Sequence, residues 1–291
     1  MIDPAQRQEA IYLYDRFTHE GLDRREFMAR MTAIAGSAAA AELLIAGIAA
    51  SPAAAAIIPP DDKRLTTRTI TFTEGAAKGY RAYVAEPRTR SLKASVLVIH
   101  ENRGLNDYAR DVARRLGVAG FRGVAADFLS AAGGTPANED RAREMIGKLD
   151  LSAVTAAGAA MLRELAKTSR GGKVGAVGFC WGGAFINRLA VLAGSDLDAG
   201  VSYYGTGPNP AEAAKVSAPL LIHLAGLDER VNGTAVPWVA ALRNAKKTVD
   251  YYNYPNVNHA FHNDTSAERY NKVAAELSWQ RTIQFFKRHL G

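Results

Sequence analysis

From residue 66 onward the apolar positions fall into two alternating patterns. TTRTITF (66–72) and GYRAYVAE (79–86) are rich in β-branched residues and alternate in polarity, which predicts an antiparallel pair of strands. ASVLVIH (94–100) is a short continuous apolar run, as expected of a strand covered on both faces. A helical period follows in DYARDVARRLGVAG (107–120), then a strand in FRGVAAD (121–127). A long helical stretch covers 138–168, KVGAVGF (173–179) reads as a strand, and another helix starts at Gly182. DAGVSYYG (198–205), APLLIHLAG (218–226) and TVDYYNYP (248–255) complete the strands. A last helix is expected over 267–290, with cations and a terminal glycine at its end. Buried strands alternating with helices define an α/β fold. The expectation is one domain over 57–291, with a mostly parallel sheet of about eight strands and helices on both faces.

Residues 1–56 follow a different pattern. QEAIYLYDRFTHEGLDRREFM has the look of an amphipathic helix, and 31–58 is alanine-rich with Glu42 as its one charge. Arg24-Arg25, a spacer and Phe27 precede this weakly apolar stretch and resemble a twin-arginine export signal, with Ala54 and Ala56 as a small-residue cleavage site. That arrangement implies an exported, periplasmic protein. Residues 1–30, however, carry five arginines against six acids, whereas a signal should start positive. The other reading is a retained helical arm on a cytoplasmic protein. A stable membrane span is not expected, because the stretch is alanine-based and Glu42 is costly in a bilayer.

Composition narrows the class without choosing a function. With 291 residues, 48% hydrophobic and 22% charged, the chain has the balance of a globular protein. The net charge of +7 comes without a basic run interleaved with aromatics, so a solvated surface is expected rather than a nucleic-acid site. Cys180 is the one cysteine, which excludes an internal disulfide and a cysteine-based zinc cluster. His259-x-x-His262 lacks an H-E-x-x-H context and a third ligand, so no metal is expected, and no cofactor is implied without a phosphate-binding glycine loop.

The sharpest motif is Gly178-Phe179-Cys180-Trp181-Gly182-Gly183, between an apolar strand and a helix. It is G-x-S-x-G with cysteine as nucleophile. The glycines serve a tight strand-to-helix elbow, and the helix N-terminus favours a thiolate. Asp228 follows the strand PLLIHLAG, and His259 follows the strand YYNYP. Nucleophile, acid and histidine therefore occur in the order of an α/β-hydrolase, each just past a strand's C-terminal end. His259 would take and return the thiol proton, Asp228 would orient the imidazole, and an acyl-thioenzyme would form. The oxyanion donors are expected at the N–H groups of Trp181 and Asn102. Trp181, Tyr203 and Tyr204 are candidates for the pocket wall, with burial in the core as the alternative.

HENRG after the third strand, GFCWGG at the elbow, GLDER around the acid and NHAFHND around the histidine together resemble the dienelactone hydrolase family, over about residues 66–290. The resemblance implies a lactone or small-ester substrate, with a broad carboxylesterase as the alternative. It implies that Glu101 lies against the resting thiol and is displaced by substrate. It also implies two arginines that hold a substrate carboxylate. Arg143, or else Arg141, matches the first by spacing, whereas Asn263 stands where the second should be. Arg103 and Arg230 are candidate replacements. The N-terminal pattern resembles a branch of the family with a twin-arginine-like leader. A non-catalytic or redox-sensing protein built on Cys180 is the reading from another class. Oligomeric state has no signal in the sequence.

Overall fold

The computed structural model describes residues 2–49, 56–88 and 94–291. Three helices come first: α1 (Pro4–His19), α2 (Arg24–Ala35) and α3 (Ala38–Ile48). The amphipathic segment read as one helix is two, because Gly21 turns at φ 72° and Asp23 caps α2 through the N–H groups of Arg25 and Glu26. Ile11, Tyr14, Phe27, Met31, Leu44 and Ile48 are buried together in a cluster of the arm's own. The alanine-rich stretch thus buries Leu44 and Ile48 in the arm's own cluster and leaves Leu43 exposed. Among the described residues no single helix is long and apolar enough to cross a membrane. Ala54 lies outside the described residues.

The rest of the chain forms β1 (Leu65–Thr71), β2 (Arg81–Pro87), β3 (Ser95–Ile99), α4 (Asp107–Val118), β4 (Arg122–Ala126), α5 (Glu139–Gly147), α6 (Leu151–Ala166), β5 (Val174–Phe179), α7 (Trp181–Leu192), β6 (Ala199–Tyr203), β7 (Leu220–Ala225), α8 (Glu229–Asn244), β8 (Val249–Tyr254) and α9 (Lys272–Leu290). The eight strands make one sheet in the order β1-β2-β4-β3-β5-β6-β7-β8. β1–β2 and β2–β4 pair antiparallel, and every other pair is parallel. This is the sheet that the apolar pattern predicts.

Two further helical expectations needed correction. The stretch 138–168 is two helices bent by 100°, because Asp150 caps α6 through the N–H groups of Ser152 and Ala153. The last helix starts at Lys272 under an Asn271 cap, and 267–271 belong to the preceding loop.

The inner strands β3 and β5 to β7 are buried at every position, which is why they read as continuous apolar runs. One core lies between the sheet and α6, α7 and α8, and the other between the sheet and α4 and α9. Phe185, Ile186 and Leu189 of α7 are each at most 2% exposed, and such burial stabilises by about 1.5–3 kcal/mol per side chain. These layers fix the strand ends on which the site is built.

Candidate active site

The turn between β5 and α7 holds Cys180 at φ 55° and ψ −112°, a strained conformation for a residue with a side chain. Its neighbours show why glycine is needed. A Cβ on Gly178 would lie 2.1 Å from the Gly182 carbonyl oxygen, and one on Gly182 would lie 2.3 Å from the Ile99 oxygen. A Cβ on Gly183 would meet the Tyr203 oxygen at 2.3 Å. The elbow is wedged between β3 and β6, and Cys180 sits at the N-cap of α7.

Asp228 sits at the N-cap of α8, just past β7. One carboxylate oxygen accepts from the Val231 N–H at 3.1 Å, and the other accepts from His259 Nδ1 at 2.5 Å. The carboxylate therefore caps a helix and orients the imidazole at once. Burial disfavours charge on His259, but Asp228 and then Cys180 outweigh it and hold its pKa up at about 10. His259 reciprocally pulls Asp228 below the ordinary carboxylate range, against the effect of burial. The other ring nitrogen, His259 Nε2, is buried without a hydrogen-bond partner of ordinary geometry and lies within 4.8 Å of Cys180 Sγ.

Glu101 is 7% exposed in the loop after β3. Its carboxylate accepts from the Tyr204 hydroxyl at 3.3 Å and from Asn263 Nδ2 at 2.8 Å. Asn263, expected in the substrate's place, is fully buried as a partner of Glu101 and is not part of the cavity wall. His100 steadies the same loop, with Nδ1 2.7 Å from the Glu101 carbonyl oxygen and its ring stacked on Trp181. His262 is buried, with Nδ1 2.7 Å from the Tyr108 hydroxyl. Tyr203 lies in the core with its hydroxyl on Thr282.

A cavity of about 270 Å³ opens beside Cys180, walled by Trp181, Asn102, Arg143, Tyr204, Arg230 and the arm's Thr18 and His19. Arg143 reaches this wall but donates to the Phe17 carbonyl at 3.0 Å and lies 4.3 Å over the Phe17 ring. Arg141 is exposed on α5. Arg103 is buried and bound to Glu139 and to the Tyr14 hydroxyl. A second cavity of about 310 Å³ lies near Arg103, Tyr108 and Asp111 and does not include Cys180.

His19, at the end of α1, is the residue that sequence reasoning missed. Its Nε2 is 3.8 Å from Cys180 Sγ, and its ring meets His259 edge-on at 5.0 Å. Burial, and then the charge of His259, push its pKa well below the ordinary histidine value. A lone histidine closing an N-terminal helix carries no local signature of such a place.

The sheet order, the strained elbow and the residues at the ends of β5, β7 and β8 define an α/β-hydrolase. Residues 80–290 match the model of the dienelactone hydrolase family. The chain belongs to that family and is a lactone or ester hydrolase. It is 32% identical over 239 residues to a protein of Azospirillum brasilense named "Putative carboxymethylenebutenolidase", covering 76% of this chain and 99% of that one. A namesake from Saccharolobus solfataricus is 30% identical over 246 residues, covering 72% and 93%. Among solved structures, a dienelactone hydrolase-like promiscuous phosphotriesterase from metagenomic libraries superposes with a TM-score of 0.68 at 26% identity, covering 78% of this chain and all of the other.

Proposed function

We propose that the protein cleaves a lactone or small carboxylic ester by nucleophilic attack of Cys180. The carrying observation is the 2.5 Å contact that fixes His259 on Asp228 and leaves Nε2 unpartnered on the Cys180 side. His259 takes the thiol proton before attack and holds it as an imidazolium, and the Sγ thiolate then adds to the carbonyl carbon. The imidazolium returns that proton to the leaving alkoxide as the tetrahedral adduct collapses to a thioester. Water, deprotonated by His259, attacks the thioester and releases the acid and the thiol. Asp228 stabilises the imidazolium in both halves. The N–H groups of Trp181 and Asn102 are the proposed oxyanion donors. Glu101 is the proposed resting partner of the thiol.

Arg143 and Arg230 on the cavity wall favour a substrate bearing one carboxylate. Arg143→Ala is then expected to raise KM for acidic esters by about tenfold more than for neutral ones, the cost of roughly one charge-assisted contact. Equal effects on both would remove Arg143 from substrate recognition.

The deciding experiment is an intact-protein mass spectrum before and just after mixing with p-nitrophenyl acetate, beside Cys180→Ala. An acetyl adduct on the wild type alone supports acyl transfer through Cys180. Turnover without an adduct in either protein would remove Cys180 as nucleophile. No turnover of esters or lactones would favour a non-catalytic role. The same spectrum tests export: a mass short by residues 1–56 marks a cleaved leader, and the full mass marks a retained arm.

A further inference from the structure

We propose that His19, Cys180 and His259 form a binding site for a thiophilic divalent cation of the zinc type, closed by the N-terminal arm. The nitrogen, sulfur and nitrogen donors all lie within 4.8 Å of one another, and Nε2 of His19 is 3.8 Å from Sγ. Tetrahedral Zn²⁺ with its usual bond lengths sets sulfur and nitrogen ligands about 3.6 Å apart, so His19 Nε2 and Sγ need to close by only a few tenths of an ångström and the widest donor pair by about 1 Å. A separate observation points to a ligand here. His259 is 2% exposed, and its Nε2 is buried on the side of the other two donors with no hydrogen bond of ordinary geometry.

The surroundings also suit a metal. His259 Nδ1 is held by Asp228 at 2.5 Å, the carboxylate–histidine arrangement that fixes the tautomer of a metal-bound imidazole. Glu101 brings a carboxyl group to the same small space, and the guanidinium groups of Arg103 and Arg269 that also border it are paired with Glu139 and Asp15. Three protein donors leave the fourth tetrahedral position to water.

Binding forms one metal–sulfur bond and two metal–nitrogen bonds. The thiol proton, and any proton on the two nitrogens, pass to solvent, and no electrons are transferred. The Sγ lone pair and both imidazole nitrogens are then engaged. A bound cation would block attack by Cys180 and pin the end of α1 across the cavity. The site does not depend on the proposed ester chemistry, because it needs only the three donors.

The test uses Co²⁺ as a spectroscopic probe on the full-length protein, with Zn²⁺ as competitor. One equivalent should bind, with tetrahedral visible bands and a thiolate-to-cobalt charge-transfer band that Cys180→Ser abolishes. His19→Gln keeps the bulk of the side chain at the arm's end. It should weaken binding by at least the ~10–100-fold that loss of even an outer partner of a ligand costs. X-ray absorption on the wild type needs no variant and should count one sulfur and two imidazoles. No charge-transfer band, equal affinity in His19→Gln, or a single imidazole would each overturn the site. Acyl-adduct formation without metal binding would overturn this site and leave the ester reading intact.

Discussion

At the residue scale the chemistry rests on charge held in a buried place. His259 keeps its proton up to about pH 10, because Asp228 and Cys180 outweigh the cost of burial. Its folded pKa is raised, so the stability it adds is fully present below the ordinary histidine value and is lost as pH rises through about 10. In the proposed mechanism the imidazole above that pH has no proton to give a leaving group. The alkaline limb of kcat/KM should therefore fall near pH 10, and Asp228→Asn should move it down towards the ordinary histidine range. The same substitution should lower kcat by about three to four orders of magnitude, as in other triads that lose their acid. An unmoved limb would show that Asp228 does not set the proton on His259. Cys180, Asp228, Glu101 and His259 stand out in the sequence because each sits just past a strand, in a short loop with its own pattern. His19 and Asn263 do not, because their meaning lies in contacts across 161 and 162 residues.

At the element scale, the sheet was legible because its inner strands are covered on both faces and its first two are not. The helix ends were less so. The breaks at 20–23 and 148–150 depend on single caps, Asp23 and Asp150, that the helical period runs straight through. The elbow is a prediction about backbone packing: Gly182→Ala forces a methyl to 2.3 Å from the Ile99 oxygen. Overpacking of this kind should cost about 1–3 kcal/mol or more in urea denaturation, and activity should fall with it as Cys180, the proposed nucleophile, is pushed off line. Wild-type stability in that variant would mean the turn relaxes freely. On α4, Asp111 accepts from the N–H groups of Ile57 and Ile58 and pairs with Arg115, which also reaches Asp264. Asp111 and Arg115 are at most 7% exposed. Asp111→Ala leaves the buried Arg114 without its carboxylate and Arg115 with Asp264 alone, and should destabilise by about 3–5 kcal/mol, which chemical denaturation would measure.

At the scale of the whole molecule, the arm is a separate packed unit held to the hydrolase by polar contacts. Arg269 pairs with Asp15 at 3.1 Å, Gln8 and Asn258 exchange side-chain amide hydrogen bonds, and Ser266 donates to the Ile48 carbonyl at 2.6 Å. Arg143 and Asn102, both on the cavity wall, donate to the Phe17 and Thr18 carbonyl oxygens. The family match covers residues 80–290, which include β2 to β8, Glu101, Cys180, Asp228 and His259 and none of the arm. The arm's effect should then be on access. A protein lacking residues 2–49 loses Thr18 and His19 from the cavity wall and frees the Arg143 guanidinium. Its kcat/KM for esters of long or branched acids should rise relative to acetate by about tenfold, a preference of roughly 1.4 kcal/mol. Ester kinetics on the two proteins, with an acyl-length series, would read this directly. An unchanged ratio would mean that the cavity beside Cys180 already admits bulky acyl groups with the arm in place.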